Sequence, residues 1–182
     1  MRLYLIRHGK TAANEQHLYC GSTDLPLSEK GREELKLRSW DEIPDACFVI
    51  SGMLRTKQTL ALLFGEVPYE VEERFREMDF GVFEMHSYEM LKDRDDYQTW
   101  ISGDNEANVC PGGESGEQMK QRVLDGFNEL LGRGEDTVLV AHRGTIAVIM
   151  EALFPEEQKN RYEWQPKPGC GYLIENGKYQ EI

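Results

Sequence analysis

The chain opens with Leu3-Tyr4-Leu5-Ile6-Arg7-His8-Gly9, in which four apolar residues run directly into an arginine, a histidine and a glycine. A short, continuously apolar run of this kind predicts a β-strand that is buried on both faces, as in parallel sheets. Residues 46–50 and 137–141 have the same form, and they are followed by Ser51-Gly52 and by His142-Arg143-Gly144. We therefore predict an α/β fold whose central strands end at polar residues.

Apolar residues at helical spacing predict helices between these strands, over residues 53–64, 116–132 and 145–154. A capping box of Ser115 and Gln118 begins the second helix. The tail is predicted to be a hairpin around the Asn176-Gly177 turn.

No repeat or linker divides the sequence, so we expect one domain over residues 1–182. Residues 84–110 lack a regular pattern. We expect this segment to form short helices and loops, as a cap-like insertion over the strand ends.

Charge and composition exclude several classes of protein. The 182 residues include 33 acidic and 21 basic side chains, for a net charge of −12, which disfavours nucleic acid and anionic membranes as partners. Residues 66–117 hold 15 of the acidic side chains and 4 of the basic ones. No apolar run approaches the ~20 residues of a membrane span, and the first residues do not resemble a signal peptide, so we expect a cytoplasmic protein.

The four cysteines are far apart and form no C-x-x-C pair, which favours reduced single thiols. The histidines lack the H-x-x-x-H or H-x-H spacing of metal sites, and the phosphate-binding glycine loops and the G-x-S-x-G motif are missing from the sequence. We expect neither a metal nor a cofactor.

Three predicted strands are followed by side chains of types that can bind anions. His8 and His142 each follow a buried strand, and Arg55 lies in the first turn of the helix after the third strand. A single histidine at a strand end is usually structural, but three strand ends that meet at one sheet edge would form a pocket for an anion such as phosphate.

Four sequence blocks, in their order along the chain, resemble those of the histidine phosphatase superfamily, whose members include the phosphoglycerate mutases. They are residues 5–11 with Asn14, residues 51–59, residues 76–81 and residues 140–142. The resemblance runs from residue 2 to about residue 153. It implies a three-layer α/β/α sandwich with a mostly parallel central sheet.

The resemblance also implies roles for individual residues. His8 would be the nucleophile that becomes phosphorylated, and Glu77 would be the acid that protonates the leaving oxygen. Six further residues would contact the phosphoryl group or line the substrate side of the pocket: Arg7, Asn14, Cys20, Gly21, Arg55 and His142. Among these, the two arginines and His142 would hold the phosphoryl oxygens.

Two features of the sequence narrow the choice within the superfamily. Mutase members are longer, which favours a hydrolase. The segment 79–85, with Phe83 and Met85, and the block 111–115 are similar to the α-ribazole phosphatases, which remove the 5′-phosphate of a cobalamin precursor nucleoside. The alternatives are a broad-specificity phosphatase of sugar or glycolytic phosphates, a phosphoglycerate mutase, and a phospholigand-binding domain without catalysis. The expected substrate or ligand is in each case a small-molecule phosphate ester.

The sequence departs from the family pattern at Lys10, where glutamate is commoner, and at Arg143, where glycine is common. Arg143 either adds positive charge beside the pocket or points away from it.

The acidic segment 66–117 leads to a further hypothesis. An acidic cover over a basic pocket, with Asp93, Asp95 and Asp96 on it, would repel a second anionic group on the substrate.

Overall fold

One six-stranded sheet forms the centre of the protein. The computed structural model describes residues 1–38, 45–103 and 106–182. Within these residues the strands are β1 (Arg2–Arg7), β2 (Cys47–Ile50), β3 (Glu70–Val71), β4 (Thr137–Ala141), β5 (Gly171–Glu175) and β6 (Lys178–Glu181). Their order across the sheet is β3-β2-β4-β1-β5-β6. The first four in this order are parallel, and β5 pairs antiparallel with both β1 and β6, so the sheet is mostly parallel, as predicted.

Seven α-helices accompany the strands in the described ranges. They are α1 (Ala12–Glu15), α2 (Glu29–Lys36), α3 (Leu54–Phe64), α4 (Tyr88–Leu91), α5 (Asp95–Ile101), α6 (Gly116–Gly132) and α7 (Arg143–Leu153). Short 3-10 turns lie at Glu73–Phe75, Gly81–Phe83 and Pro155–Glu157. No helix in these ranges has both the length and the apolar character that crossing a bilayer requires.

The alternation of side chains along β1 explains the three layers. Leu3 and Leu5 face a core shared with α6 and α7, whereas Tyr4 and Ile6 face a core shared with α2 and α3. Successive residues of a strand point to opposite faces, so a run without polar residues needs apolar partners on both sides. The predicted α/β/α sandwich is confirmed.

Most of the predicted elements begin or end at a residue that favours a cap or a turn. Gly65, at φ 73°, ends α3, and Ser115 caps α6 through its hydroxyl. The tail hairpin turns at Asn176-Gly177, both with positive φ. One helix begins earlier than predicted, at Arg143, because His142 is its N-cap residue.

The elements that the sequence did not predict bury little apolar surface. Both residues of β3 are exposed, and α2 buries only Gly31 and Leu35. The domain boundaries 1–182 and the cap-like role of residues 84–110 remain predictions. The described part of that segment contains α4 and α5, and its residues 104 and 105 lie outside the described residues.

Truncation of the central strand β4 tests this account of the core. Leu139 is fully buried there, so Leu139→Ala is expected to lower the free energy of unfolding by about 2–5 kcal/mol, through lost burial and the cavity left behind. Urea unfolding followed by circular dichroism measures the change. The control is Leu37→Ala, since Leu37 is 87% exposed and its truncation should cost about 0.5 kcal/mol or less. Equal losses in the two variants would contradict the assignment.

Candidate active site

Parallel pairing of β1 with β4 places two histidines side by side. The register aligns Arg7 with Ala141, so the following residues, His8 and His142, leave the sheet at the same edge. Their ring centroids lie 5.1 Å apart, and both side chains are buried. The two strand ends therefore meet, as the sequence predicted.

The hydrogen bonds of His8 define which ring nitrogen is free. Its Nδ1 lies 2.7 Å from the carbonyl oxygen of Gly9. Because a carbonyl oxygen only accepts, Nδ1 carries the proton and Nε2 keeps its lone pair. Burial, and then the charges of Arg55 and Arg7, lower the pKa of His8 well below its usual value. The imidazole is therefore neutral at pH 7, which is the form that can act as a nucleophile.

Arg55 is a buried guanidinium that lies behind the two histidines. Its Nη1 and Nη2 donate to the carbonyl oxygens of Thr23 and Gly21, at 2.9 and 2.7 Å, and its Nε donates to Nδ1 of His142 at 3.3 Å. A guanidinium has five N–H groups, so one on each terminal nitrogen remains for a ligand. The side chain is 1% exposed, and its charge is compensated by these acceptors rather than by water.

His142 is engaged at both of its ring nitrogens. Nε2 lies 2.7 Å from the Ser51 hydroxyl, and Nδ1 accepts from Arg55. Burial, and then Arg55 and His8, lower the pKa of His142 well below its usual value, so this imidazole is also neutral at pH 7. The structure places His142 as a support for Arg55, and its expected contact with the phosphoryl group remains a prediction.

Glu84 organises the loop that holds Arg55. Its carboxylate accepts hydrogen bonds of 2.7–3.2 Å from the backbone N–H groups of Gly21, Ser22, Thr23 and Phe80 and from the Thr23 hydroxyl. The loop also packs closely, since a Cβ on Gly21 would lie 1.5 Å from the carbonyl oxygen of Met78. The family resemblance implies that Gly21 lines the substrate pocket, but the structure uses its carbonyl group to hold Arg55.

Arg7 and Asn14 each keep a donor without a partner. Arg7 donates from Nη1 to the Pro166 carbonyl at 2.7 Å, while its Nε is buried with no hydrogen-bond partner among the described residues. Burial, and then Arg143, lower the pKa of Arg7 to about 10, so it is charged at pH 7. Asn14 uses its Oδ1 to accept from Thr11 in the capping box of α1, which leaves its NH2 group for a ligand.

Glu77 is fixed at the N-terminal end of α7. Its two carboxylate oxygens accept from the backbone N–H groups of Gly144 and Met78, both at 3.0 Å. Arg122 holds the segment around it by donating at 2.7–3.0 Å to three backbone carbonyl oxygens, those of Arg74, Arg76 and Glu77. The carboxyl group is thus positioned by main-chain contacts on both sides.

Some of these residues border a cavity of about 420 Å³, within the usual range of ligand sites. The sequence-predicted residues that line it are Arg7, His8, Asn14, Cys20 and Glu77. The other three, Gly21, Arg55 and His142, lie outside its lining. Burial raises the pKa of the Cys20 thiol, so the thiol does not compete with His8 as a nucleophile. Within the described ranges, no three His, Cys, Asp or Glu side chains are arranged to hold a metal ion.

Seven lining residues were not predicted from the sequence: Lys10, His17, Leu18, Tyr19, Phe80, Tyr88 and Pro168. Arg143, for which the sequence left two directions open, also lines the cavity. It is exposed and makes no side-chain hydrogen bond or ion pair with the described residues, so its charge is free for a ligand. Its place after β4 was visible in the sequence, but its position as the first residue of α7 and its direction were not.

The expected acidic cover over the pocket is wrong for the described residues. Of the acidic side chains in residues 66–117, only Glu77 lines the cavity. Asp96 pairs instead with Arg94 at 2.7 Å, and Asp93 and Asp95 are not in the lining. The cavity wall carries Arg7, Lys10 and Arg143, so its charge favours anions.

The two buried histidines predict how stability depends on pH. Because the fold lowers their pKa values, the unfolded chain binds protons below about pH 6.5 that the folded chain does not. The free energy of unfolding is therefore expected to fall with decreasing pH, by up to about 1.4 kcal/mol per pH unit for each histidine. Urea unfolding between pH 7.5 and 5.5 measures this slope.

In the same titration, His8→Gln should have a shallower slope than the wild type, and Leu37→Ala, which changes an exposed side chain without a titratable group, should keep the wild-type slope. Identical slopes for His8→Gln and the wild type would contradict the assigned pKa shift of His8.

Comparison with known proteins places this site in a family. Residues 3–180 match the family model described as the histidine phosphatase superfamily (branch 1), beyond the residue 153 that the motifs reach. An adenosylcobalamin/alpha-ribazole phosphatase from Salmonella typhimurium is 28% identical over 190 residues, which cover 96% of this chain and 90% of that protein.

Two crystal structures are similar along nearly their whole length. The alpha-ribazole phosphatase from Shigella flexneri has a TM-score of 0.84 at 26% identity, covering 100% of this chain and 95% of that chain. A phosphoglycerate mutase from Thermus thermophilus has a TM-score of 0.74 at 27% identity, covering 97% and 94%. This mutase is therefore similar in length to the present chain, so chain length alone does not distinguish a phosphatase from every protein named as a mutase. With the family model matching nearly all of its residues, the chain belongs to the histidine phosphatase superfamily.

Proposed function

We propose that this protein is a phosphomonoesterase that hydrolyses a small-molecule phosphate ester through a phosphohistidine on His8. The observation that carries the proposal is the state of His8. Its imidazole lines a cavity with positively charged walls, Nδ1 is held by the Gly9 carbonyl, and Nε2 makes no hydrogen bond to the described residues.

In the first step, the Nε2 lone pair attacks phosphorus and the bond from phosphorus to the ester oxygen breaks. Positively charged groups must hold the other phosphoryl oxygens, since charge stabilisation and positioning supply most of the catalysis in phosphoryl transfer. Arg7 offers its Nε–H, which no described residue accepts, and Asn14 offers its amide. Arg55 lies outside the cavity lining and would reach the phosphoryl group with its two remaining N–H groups. His142 positions Arg55 for this task.

Glu77 protonates the departing ester oxygen. An alkoxide is a poor leaving group, so the ester oxygen has to receive a proton as its bond to phosphorus breaks. Glu77 is the one acidic side chain among the described residues that line the cavity. In the second step the same carboxylate takes a proton from water, whose oxygen attacks phosphorus. The bond from phosphorus to Nε2 breaks, its electron pair returns to the imidazole, and phosphate leaves a neutral His8.

The substrate that we propose is α-ribazole 5′-phosphate, a nucleoside monophosphate with a heteroaromatic base. Proteins named alpha-ribazole phosphatases match this chain over nearly their whole length. The aromatic side chains of Tyr19, Phe80 and Tyr88 in the cavity lining also suit a ring-bearing ester better than a short polar one.

Turnover of two substrates by two variants tests the proposed function. The wild type is expected to hydrolyse α-ribazole 5′-phosphate with a kcat/KM roughly 10-fold or more above that for 3-phosphoglycerate. His8→Ala should lose roughly 10³-fold or more in kcat, and rapid acid-free quenching should no longer trap a phosphorylated protein. His86→Gln is the control, because His86 does not line the cavity. Full hydrolysis by His8→Ala would overturn the proposal.

The role of Glu77 predicts a dependence on the leaving group. Glu77→Gln is expected to lower kcat/KM by about 10²-fold for an alkyl phosphate, whose oxygen needs a proton, and much less for 4-nitrophenyl phosphate, whose oxygen leaves as a stable anion. Glu73→Gln is the matched control, since Glu73 pairs with Arg76 and is absent from the cavity lining. Equal losses for both substrates would contradict the role of Glu77 as the acid.

A further inference from the structure

A second cavity of about 230 Å³ adjoins the one that contains His8. The two cavities share four wall residues, namely Tyr19, Glu77, Phe80 and Arg143. We call the second cavity the aromatic chamber. Its wall also includes Trp100, Ile101, Glu106, Arg161 and Tyr162. Because Glu77 lies on the shared wall, the group whose oxygen it protonates would extend towards this chamber.

The chamber has a preformed aromatic wall. Tyr19 contacts Phe80 and Trp100, with ring centroids 5.1 and 5.9 Å apart, and Phe80 meets Trp100 edge-on at 6.2 Å. The Tyr19 hydroxyl is also bonded to that of Tyr97 at 2.6 Å. Rings fixed in this way offer faces and edges for stacking without losing side-chain freedom when a ligand binds.

Trp100 lies in the chamber wall and carries an indole N–H donor. Its indole Nε1–H is buried and has no hydrogen-bond partner among the described residues. Buried donors are nearly always paired, and one without a partner is costly. An acceptor atom on a ligand in the chamber would satisfy this N–H.

The charged side chains of the chamber differ in whether they are free to bind a ligand. Arg161 and Glu106 form an ion pair with each other, so their charges are largely balanced. Arg143 is unpaired at the boundary with the first cavity, as far as the described residues extend. A guanidinium there can donate to an oxygen that links phosphate to the ring, or stack on the ring itself.

We propose that the aromatic chamber binds the heteroaromatic ring of the phosphate ester, with Trp100 Nε1–H donating to a ring heteroatom and Arg143 at the entrance. The volume supports this occupant, since about 230 Å³ would hold roughly eight molecules of liquid water, a space that suits a bicyclic ring. The proposal rests on the proposed function, because it assigns the organic part of the same substrate. It makes ring recognition, rather than a second anionic group, the basis of selectivity.

Binding of three stable phosphonates tests the chamber without requiring turnover. The probes are methylphosphonate, naphthylmethylphosphonate and benzimidazolylmethylphosphonate, and isothermal titration calorimetry measures their affinities for the full-length protein. Both aromatic probes are expected to bind roughly 10-fold or more tightly than methylphosphonate, because they bury a ring.

Two variants of the chamber wall sharpen the test. Ile101→Trp fills part of the chamber and should reduce the preference for aromatic probes by roughly 5-fold or more, with methylphosphonate affinity unchanged. Val71→Trp adds the same ring at an exposed site outside both cavities and should change none of the affinities. Trp100→Phe keeps a ring but removes the N–H, so it should weaken the benzimidazolyl probe more than the naphthyl probe. The methylphosphonate affinity also reports that each variant is folded.

The outcomes separate this proposal from the proposed function. Equal affinity of the wild type for all three probes, or an aromatic preference that Ile101→Trp leaves intact, would overturn the chamber assignment alone. A Trp100→Phe effect of equal size on both aromatic probes would overturn the role of the indole N–H. Failure of all three phosphonates to bind would overturn the phosphate site, and the chamber with it.

Discussion

The in-register parallel pairing of β1 with β4 is the constraint on which the rest of the structure depends. Both strands are buried on both faces, so alternate side chains of each are committed to different cores. A slip of one residue would turn every side chain of a strand to the wrong face. The same register that satisfies the two cores aligns Arg7 with Ala141 and thereby sets His8 beside His142. Packing and chemistry are thus fixed by one set of strand contacts.

Behind the strand ends, two arginines are held by hydrogen-bond acceptors, and carboxylates fix the loops and side chains that supply these acceptors. A guanidinium taken out of water is stable only when acceptors surround it. Arg55 donates hydrogen bonds to the carbonyl oxygens of Gly21 and Thr23, and Glu84 holds the loop that contains both residues. Arg122 in turn binds Glu114 and the backbone beside Glu77. The buried arginine and the proposed acid therefore rest on two separate supports, one for each side of the reacting bond.

The strand ends and their polar residues could be predicted from the sequence because they follow from hydrophobic runs alone. His8, His142 and Arg55 were found in this way, and the motif resemblance added Arg7, Asn14 and Glu77. The aromatic chamber could not be predicted, because it joins Tyr19, Phe80, Trp100 and Tyr162 from four separate segments without a periodic signal. The direction of Arg143 depends on where α7 begins. For Gly21 the motif implied a place in the pocket lining, whereas the structure shows its carbonyl group accepting from Arg55, a contact that the sequence pattern does not reveal.

The distribution of charge explains how a chain of net charge −12 can have an anion-binding cavity. Carboxylates of the acidic segment are engaged in local contacts: Glu84 binds backbone N–H groups, Glu114 binds Arg122, and Asp96 binds Arg94. Charges paired at the surface are screened by salt within about 10 Å, whereas the half-buried Arg7 and the buried Arg55 would act on a bound ester at short range in a less polar medium. In the proposed function, recognition of phosphate therefore depends on the few cations that line or support the cavity. The net charge of the chain would then oppose the approach of anions only weakly, and the proposed selectivity among phosphate esters depends on the neutral part of each molecule.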